Sequence, residues 1–145
     1  MQPNSKLRPL AALIGEWTTL GTHPMLPGRT LVGRATFAWL EEGAFVIMRT
    51  DSDEPEIPPG VAILGTDDSL DVGAMIYFDS RGVSREYRWS MAGKVWQWWR
   101  NDPEFSQRFV VTVSDDGQRM LSTGEMSRDG ADWEPDLQLT YTRQA

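Results

Sequence analysis

The sequence predicts an all-β protein, an antiparallel up-and-down barrel of about ten strands preceded by one short N-terminal helix. Three observations predict it. Short runs rich in aromatic and β-branched residues recur at intervals of roughly ten residues. Turn chemistry separates them, in "EEG", "DSRG", "AG", "NDPEF", "DDG" and "RDG". When register is carried from hairpin to hairpin, apolar and polar residues keep to opposite faces through five successive turns. A chain of 145 residues makes one domain, 1–145, large enough for a true core.

The elements follow in order. In "SKLRPLAALIG" the apolar residues at 7, 10, 11, 13 and 14 predict a short helix ended by Gly15, with Pro9 in its first turn. Strands are expected over 16–23, 29–40, 44–52, 60–67, 72–79, 83–91, 94–101, 106–114, 119–127 and 132–142. The stretch "DSDEPEIPPG" is a loop, because its three prolines cannot donate to a ladder.

The turns then set the register. A loop ending in Gly82 pairs Tyr77 with Arg85 and Met75 with Tyr87. A two-residue turn at Ala92-Gly93 would pair Trp89 with Trp96, Tyr87 with Trp98 and Arg85 with Arg100. The next loop pairs Arg100 with Gln107 and Trp98 with Phe109. Two-residue turns at Asp116-Gly117 and Asp129-Gly130 extend the row through Met120, Ser122, Gly124 and Met126 to Trp133, Leu137, Leu139 and Tyr141. One face thus collects Tyr87, Trp89, Trp96, Trp98, Phe109, Val111, Val113, Trp133, Leu137 and Leu139. The other carries Glu86, Arg88, Gln97, Arg108, Thr112 and Gln138. Trp17 and Trp133 are expected to plug the barrel, and the methionines at 25, 48, 75, 120 and 126 to fill gaps in the core.

Composition excludes several classes of function. Apolar content of 40% with 24% charged residues is that of a folded protein and argues against disorder. A net charge of −7 argues against nucleic acid or an anionic membrane as partner. Between Ile76 and Val110, however, Arg81, Arg85, Arg88, Lys94, Arg100 and Arg108 outnumber four acidic residues. Such a local island suits a small anion. With no cysteine and one histidine, thiolate and multi-histidine metal sites are excluded, and no metal or cofactor is expected. The first 15 residues resemble neither a signal peptide nor a membrane span, so a cytoplasmic protein is the default expectation.

The segment "SREYRWSMAGKVWQWWR" (84–100) holds four of the seven tryptophans and three arginines. Its register sends Arg88 outward and Arg85 and Arg100 inward, flanked by Tyr77 and Gln107. Two inward guanidinium groups mean one of three things. They are internal salt bridges, with Asp79, Glu16, Glu42 or Glu125 as partner, or they sit solvated at a barrel mouth, or they hold a carboxylate or phosphate. The candidate ligand-binding residues are Tyr77, Arg85, Arg100 and Gln107 for the polar end, and Tyr87, Trp89, Trp96, Trp98 and Phe109 for the apolar wall. His23 reads as a surface residue before Pro24. Familiar catalytic motifs are missing, and no catalytic residue is assigned.

The stretch "LIGEWTTLGTHP" resembles the G-x-W opening of the calycins, the lipocalins and fatty-acid-binding proteins, and more closely that of nitrobindin-type barrels. "YFDSRGVSR", "WWRNDPEFSQRF" and "DLQLTYTR" are similar to motifs of a bacterial family of the DUF1579 type. These resemblances imply a calycin-like β-barrel. Nitrobindins hold haem through a histidine on a late strand, and residues 106–142 contain none. Fatty-acid-binding proteins grip a carboxylate with a late Arg-x-Tyr. Here Arg85-Glu86-Tyr87 lies earlier, and Tyr141-Thr142-Arg143 runs in reverse order.

Three functions remain open at this level. The first is a binder of a small amphipathic, carboxylate-bearing molecule. The second is an enzyme of the cyclase or isomerase type using the same pocket, with Tyr77 as acid–base group because neighbouring guanidinium charge lowers a phenol's pKa. The third is an interaction module or homodimer that covers the outward apolar pairs Ile76/Phe78 and Val110/Trp99.

Overall fold

The computed structural model describes residues 3–145. Ten strands form a closed antiparallel barrel: β1 (Gly15–Thr22), β2 (Leu31–Leu40), β3 (Phe45–Ser52), β4 (Gly60–Thr66), β5 (Gly73–Asp79), β6 (Ser84–Ala92), β7 (Val95–Arg100), β8 (Ser106–Val113), β9 (Arg119–Ser127) and β10 (Glu134–Arg143). Each strand pairs with its sequence neighbours, and β1 closes on β10 from Trp17↔Arg143 to Thr22↔Gln138. Closure leaves the main sheet with no free edge. Up-and-down connectivity puts the β1–β2, β3–β4, β5–β6, β7–β8 and β9–β10 loops at one end and the N-terminal segment at the other.

That segment is a 3-10 helix (Ser5–Leu13), with Pro9 at its centre rather than in its first turn. The physical reason is in the spacing. Leu7, Leu10 and Leu13 recur every three residues, which aligns them on one side of a helix with three residues per turn. All three are fully buried, each a contribution of about 1.5–3 kcal/mol. Pro9 would also remove a hydrogen bond from the middle of an α-helix. The helix packs on β3, β4 and β6 and seals its end of the barrel. Trp17 plugs the same end, 1% exposed, and its indole N–H donates to the Leu13 carbonyl at 2.9 Å. Arg143 lies 4.2 Å over the Trp17 ring and donates to the carbonyls of Ala12, Ile14 and Gly117. Arg143 therefore locks the closed end and has no place in a ligand site.

The hairpin registers follow expectation at β5–β6, β7–β8 and β8–β9. The β6–β7 hairpin differs. Its two-residue turn is Gly93-Lys94, so Ala92 pairs with Val95, Trp89 with Trp98 and Met91 with Trp96. Arg85 and Arg100 are consequently not opposite one another. Gly93 has φ +58° at the first central position, as a type II′ turn requires. The slip is two residues, so the faces are preserved, and Trp89, Trp96 and Trp98 still point inward. Gly93→Ala should destabilise the protein by about 1 kcal/mol in urea melts. An unchanged midpoint would contradict this turn.

The β9–β10 connection also differs. Asp129 and Ser127 organise a longer turn through hydrogen bonds to the backbone N–H groups of Gly130, Ala131 and Asp132. Met126 then pairs with Glu134 instead of Trp133, and after a bulge between Pro135 and Gln138 Ser122 pairs with Leu139 and Met120 with Tyr141, two residues beyond the expected partners. Trp133 does not plug the barrel. It lies on the outer surface under Arg108, whose guanidinium carbon sits 3.8 Å from the ring centroid. Met25 is 71% exposed in the β1–β2 loop rather than in the core.

Candidate functional site

The closed half of the barrel is filled by Trp17, Phe37, Val46, Leu64, Trp96, Val113 and Met120. The open half holds a cavity of about 530 Å³, lined by residues of all ten strands and at the mouth by residues of the β1–β2 and β3–β4 loops. Arg29, in the first of these loops, pairs with Glu54 and Glu56 in the second at 3.1 and 3.4 Å, tying the two together.

Six of the nine sequence-predicted residues line this cavity: Tyr77, Arg85, Tyr87, Trp98, Gln107 and Phe109. Alternation on β5–β8 explains why, since each sits at an inward position of its strand. Trp98 stacks on Phe109 at 3.9 Å between centroids, and Tyr87 meets Trp98 edge-on at 5.0 Å. Trp89, Trp96 and Arg100 lie outside the lining. The Trp89 indole N–H is held by the carbonyls of Gly65 and Ala74, and Trp96 packs edge-on against Phe37. Arg100 faces Asp102 at 3.6 Å, near the barrel rim. The expected Arg85–Arg100 clamp is therefore not formed; Arg34 and Arg81 line the cavity beside Arg85, with Arg81 paired to Asp79.

The proposed salt-bridge partners are occupied elsewhere. Asp79 takes Arg81 at 2.7 Å and the Tyr77 hydroxyl at 2.7 Å. Glu125 takes Arg108 at 3.0 Å. Glu16 and Glu42 are exposed. Among the described residues Arg85 makes no ion pair; its guanidinium carbon lies 4.9 Å from the Phe105 ring centroid. Hydrogen bonds from Arg81 hold the Asp79 carboxyl well below the usual range. Burial, and then the bond to Asp79, push the Tyr77 phenol far up. This overturns the expectation of an acidified Tyr77. Its proton is committed to Asp79, and it is no acid–base candidate.

Sequence reasoning missed a polar chain across the cavity wall. The Tyr87 hydroxyl donates to Gln107 Oε1, and Gln107 Nε2 donates to Asp136 Oδ2 at 2.8 Å. Asp136 Oδ1 also accepts the Leu137 N–H at 2.8 Å and lies 3.2 Å from His23 Nε2. His23 Nδ1 accepts the Met25 N–H at 3.0 Å, so Nε2 carries the proton and donates to Asp136. His23 is thus a partly buried residue of the cavity mouth, not a surface group. Asp136 is 5% exposed and is turned inward beside the β10 bulge, which alternation alone does not reveal. Burial raises the Tyr87 pKa, with Arg85 opposing.

Both His23 nitrogens are engaged, and among the described residues no three His, Cys, Asp or Glu side chains gather as a metal site. Haem should not bind stoichiometrically. A Soret band that saturates at one equivalent and disappears in His23→Ala would contradict this.

Ten antiparallel strands, closed in order, with a sealed end and a cavity at the other, fit a calycin-like barrel. Two solved structures share the fold over nearly the whole chain. Rv2717c from M. tuberculosis is 14% identical, with a TM-score of 0.70 over 99% of this chain and 100% of its own. The S-type phycobiliprotein lyase CPES from Guillardia theta is 10% identical, with a TM-score of 0.62 over 99% of both chains. No family model matches the sequence, and neither does any curated protein. Among the described residues no helix is long and apolar enough to cross a membrane.

Proposed function

We propose that the barrel binds a small amphipathic molecule whose carboxylate meets Arg85 and whose apolar body lies against Trp98, Phe109, Met48 and Met75. One observation carries this reading: Arg85 faces a largely apolar cavity and, among the described residues, forms no ion pair, although Asp51, Glu56 and Asp136 also line that cavity. A guanidinium in that setting is a ready partner for a carboxylate. The cavity has the volume and mixed lining usual for small-molecule sites. The likeness to a barrel named as a phycobiliprotein lyase supports ligand handling in general terms. The motif resemblance to the DUF1579-type family is compatible with it.

The enzyme reading has less support. Tyr77 is bound to Asp79, and neither ring nitrogen of His23 is free to take a substrate proton. Titration with a matched pair of chains tests the proposal. Dodecanoate should bind at one equivalent and change the tryptophan fluorescence through Trp98, whereas dodecyltrimethylammonium should bind far more weakly. Equal affinity, or preference for the cation, would refute an anionic ligand.

A further inference from the structure

Opposite Arg85 the cavity carries a second polar feature. Tyr141, Ser122 and Thr19 all line it and are 4%, 4% and 8% exposed. Thr19 on β1 pairs directly with Tyr141 on β10. Ser122 on β9 pairs with Leu139, which makes it the diagonal neighbour of Tyr141. None of these three hydroxyls has a hydrogen-bond partner among the described residues, and the Tyr141 phenol is pushed up by burial alone. Elsewhere on the wall Tyr77, Tyr87, Gln107, Asp136 and His23 are bonded to one another or to Asp79, while the Trp98 indole N–H is also without a partner. Hydroxyls that open onto a cavity without a protein partner are free to bond a polar atom of whatever fills it.

A ligand supplies that atom. We infer that Tyr141, Ser122 and Thr19 form a second subsite that holds a carbonyl oxygen of the bound molecule, so that the ligand is an oxygenated carboxylate rather than a plain hydrocarbon acid. The inference rests on the Arg85 reading and adds a second contact to it. Tyr141 can only satisfy its O–H with an acceptor, and Ser122 and Thr19 can add a donor each to the same oxygen or to its neighbour. A saturated chain lying against these groups would displace water from them and return no hydrogen bond, which costs affinity. In the closed order of strands β6 lies five, four and three places from β1, β10 and β9, so the anion and the carbonyl are gripped from different walls.

The test is calorimetric titration with a positional series of oxo-dodecanoates against dodecanoate, and with 6-undecanone against undecane. At least one oxo isomer should bind about 5- to 30-fold tighter than dodecanoate, the scale of one to two neutral hydrogen bonds. Tyr141→Phe, which keeps the ring beside Trp17, should erase that advantage while leaving dodecanoate affinity unchanged or improved. Ser122→Ala should reduce the advantage in part. If dodecanoate binds as tightly as every isomer, or the advantage survives in Tyr141→Phe, the subsite is refuted while the Arg85 reading stands. If 6-undecanone binds in a Tyr141-dependent way and no carboxylate binds, the subsite stands and the Arg85 reading fails. If no probe binds, both fall.

Discussion

Arg85→Met should weaken dodecanoate binding roughly 10- to 150-fold, equivalent to about 1.5–3 kcal/mol for a lost charge-assisted hydrogen bond. The melting temperature should hold or rise. Methionine keeps the apolar stem against Phe105 and removes a charge that forms no ion pair among the described residues. Arg100→Met should leave binding nearly unchanged, since Arg100 lies outside the cavity and faces Asp102. A loss of several kcal/mol of stability in Arg85→Met would mean that a buried carboxylate had been stranded, and the arginine would be structural.

Asp136→Ala should cost about 2–4 kcal/mol of stability, because it orphans several hydrogen-bond donors at once. The carboxylate accepts from Gln107, His23 and the Leu137 N–H. Gln107 in turn holds the Tyr87 hydroxyl. His23 keeps some contact with solvent, which limits the penalty at that end. Asp136→Asn should cost less, since its amide oxygen still accepts two of these bonds. Urea melts of the two variants give the comparison. If Asp136→Ala matches the unmutated protein, the chain from Tyr87 to His23 carries no stability.

The strands were legible because the turns are chemically explicit. "DSRG" and "DDG" declare their geometry, and alternation across them assigned Tyr77, Arg85, Tyr87, Gln107 and Phe109 to the inside correctly. At Gly93-Lys94 the turn lies one residue later than expected, which moved the pairing by two residues and left the faces intact. Arg100 was lost by this route: its face was right and its neighbour was wrong. Neither the longer turn at 127–132 nor the bulge at 135–138 could be seen in a period-two pattern, and with them went Trp133 outward and Asp136 inward. His23 was missed for a different reason. It stands at the very end of the expected first strand and before Pro24, which suggested a surface position, and its partner is more than a hundred residues away on the closing strand. The three-residue spacing of Leu7, Leu10 and Leu13 was a visible signal for the 3-10 helix.

The central claim is that the cavity holds an apolar molecule by its carboxylate, and native mass spectrometry of the freshly purified protein tests it most directly. The account predicts an added mass of one carboxylic acid per chain, recovered in the wild-type protein and absent from Arg85→Met. A neutral or cationic molecule in the cavity, or an acid retained equally by Arg85→Met, would contradict it.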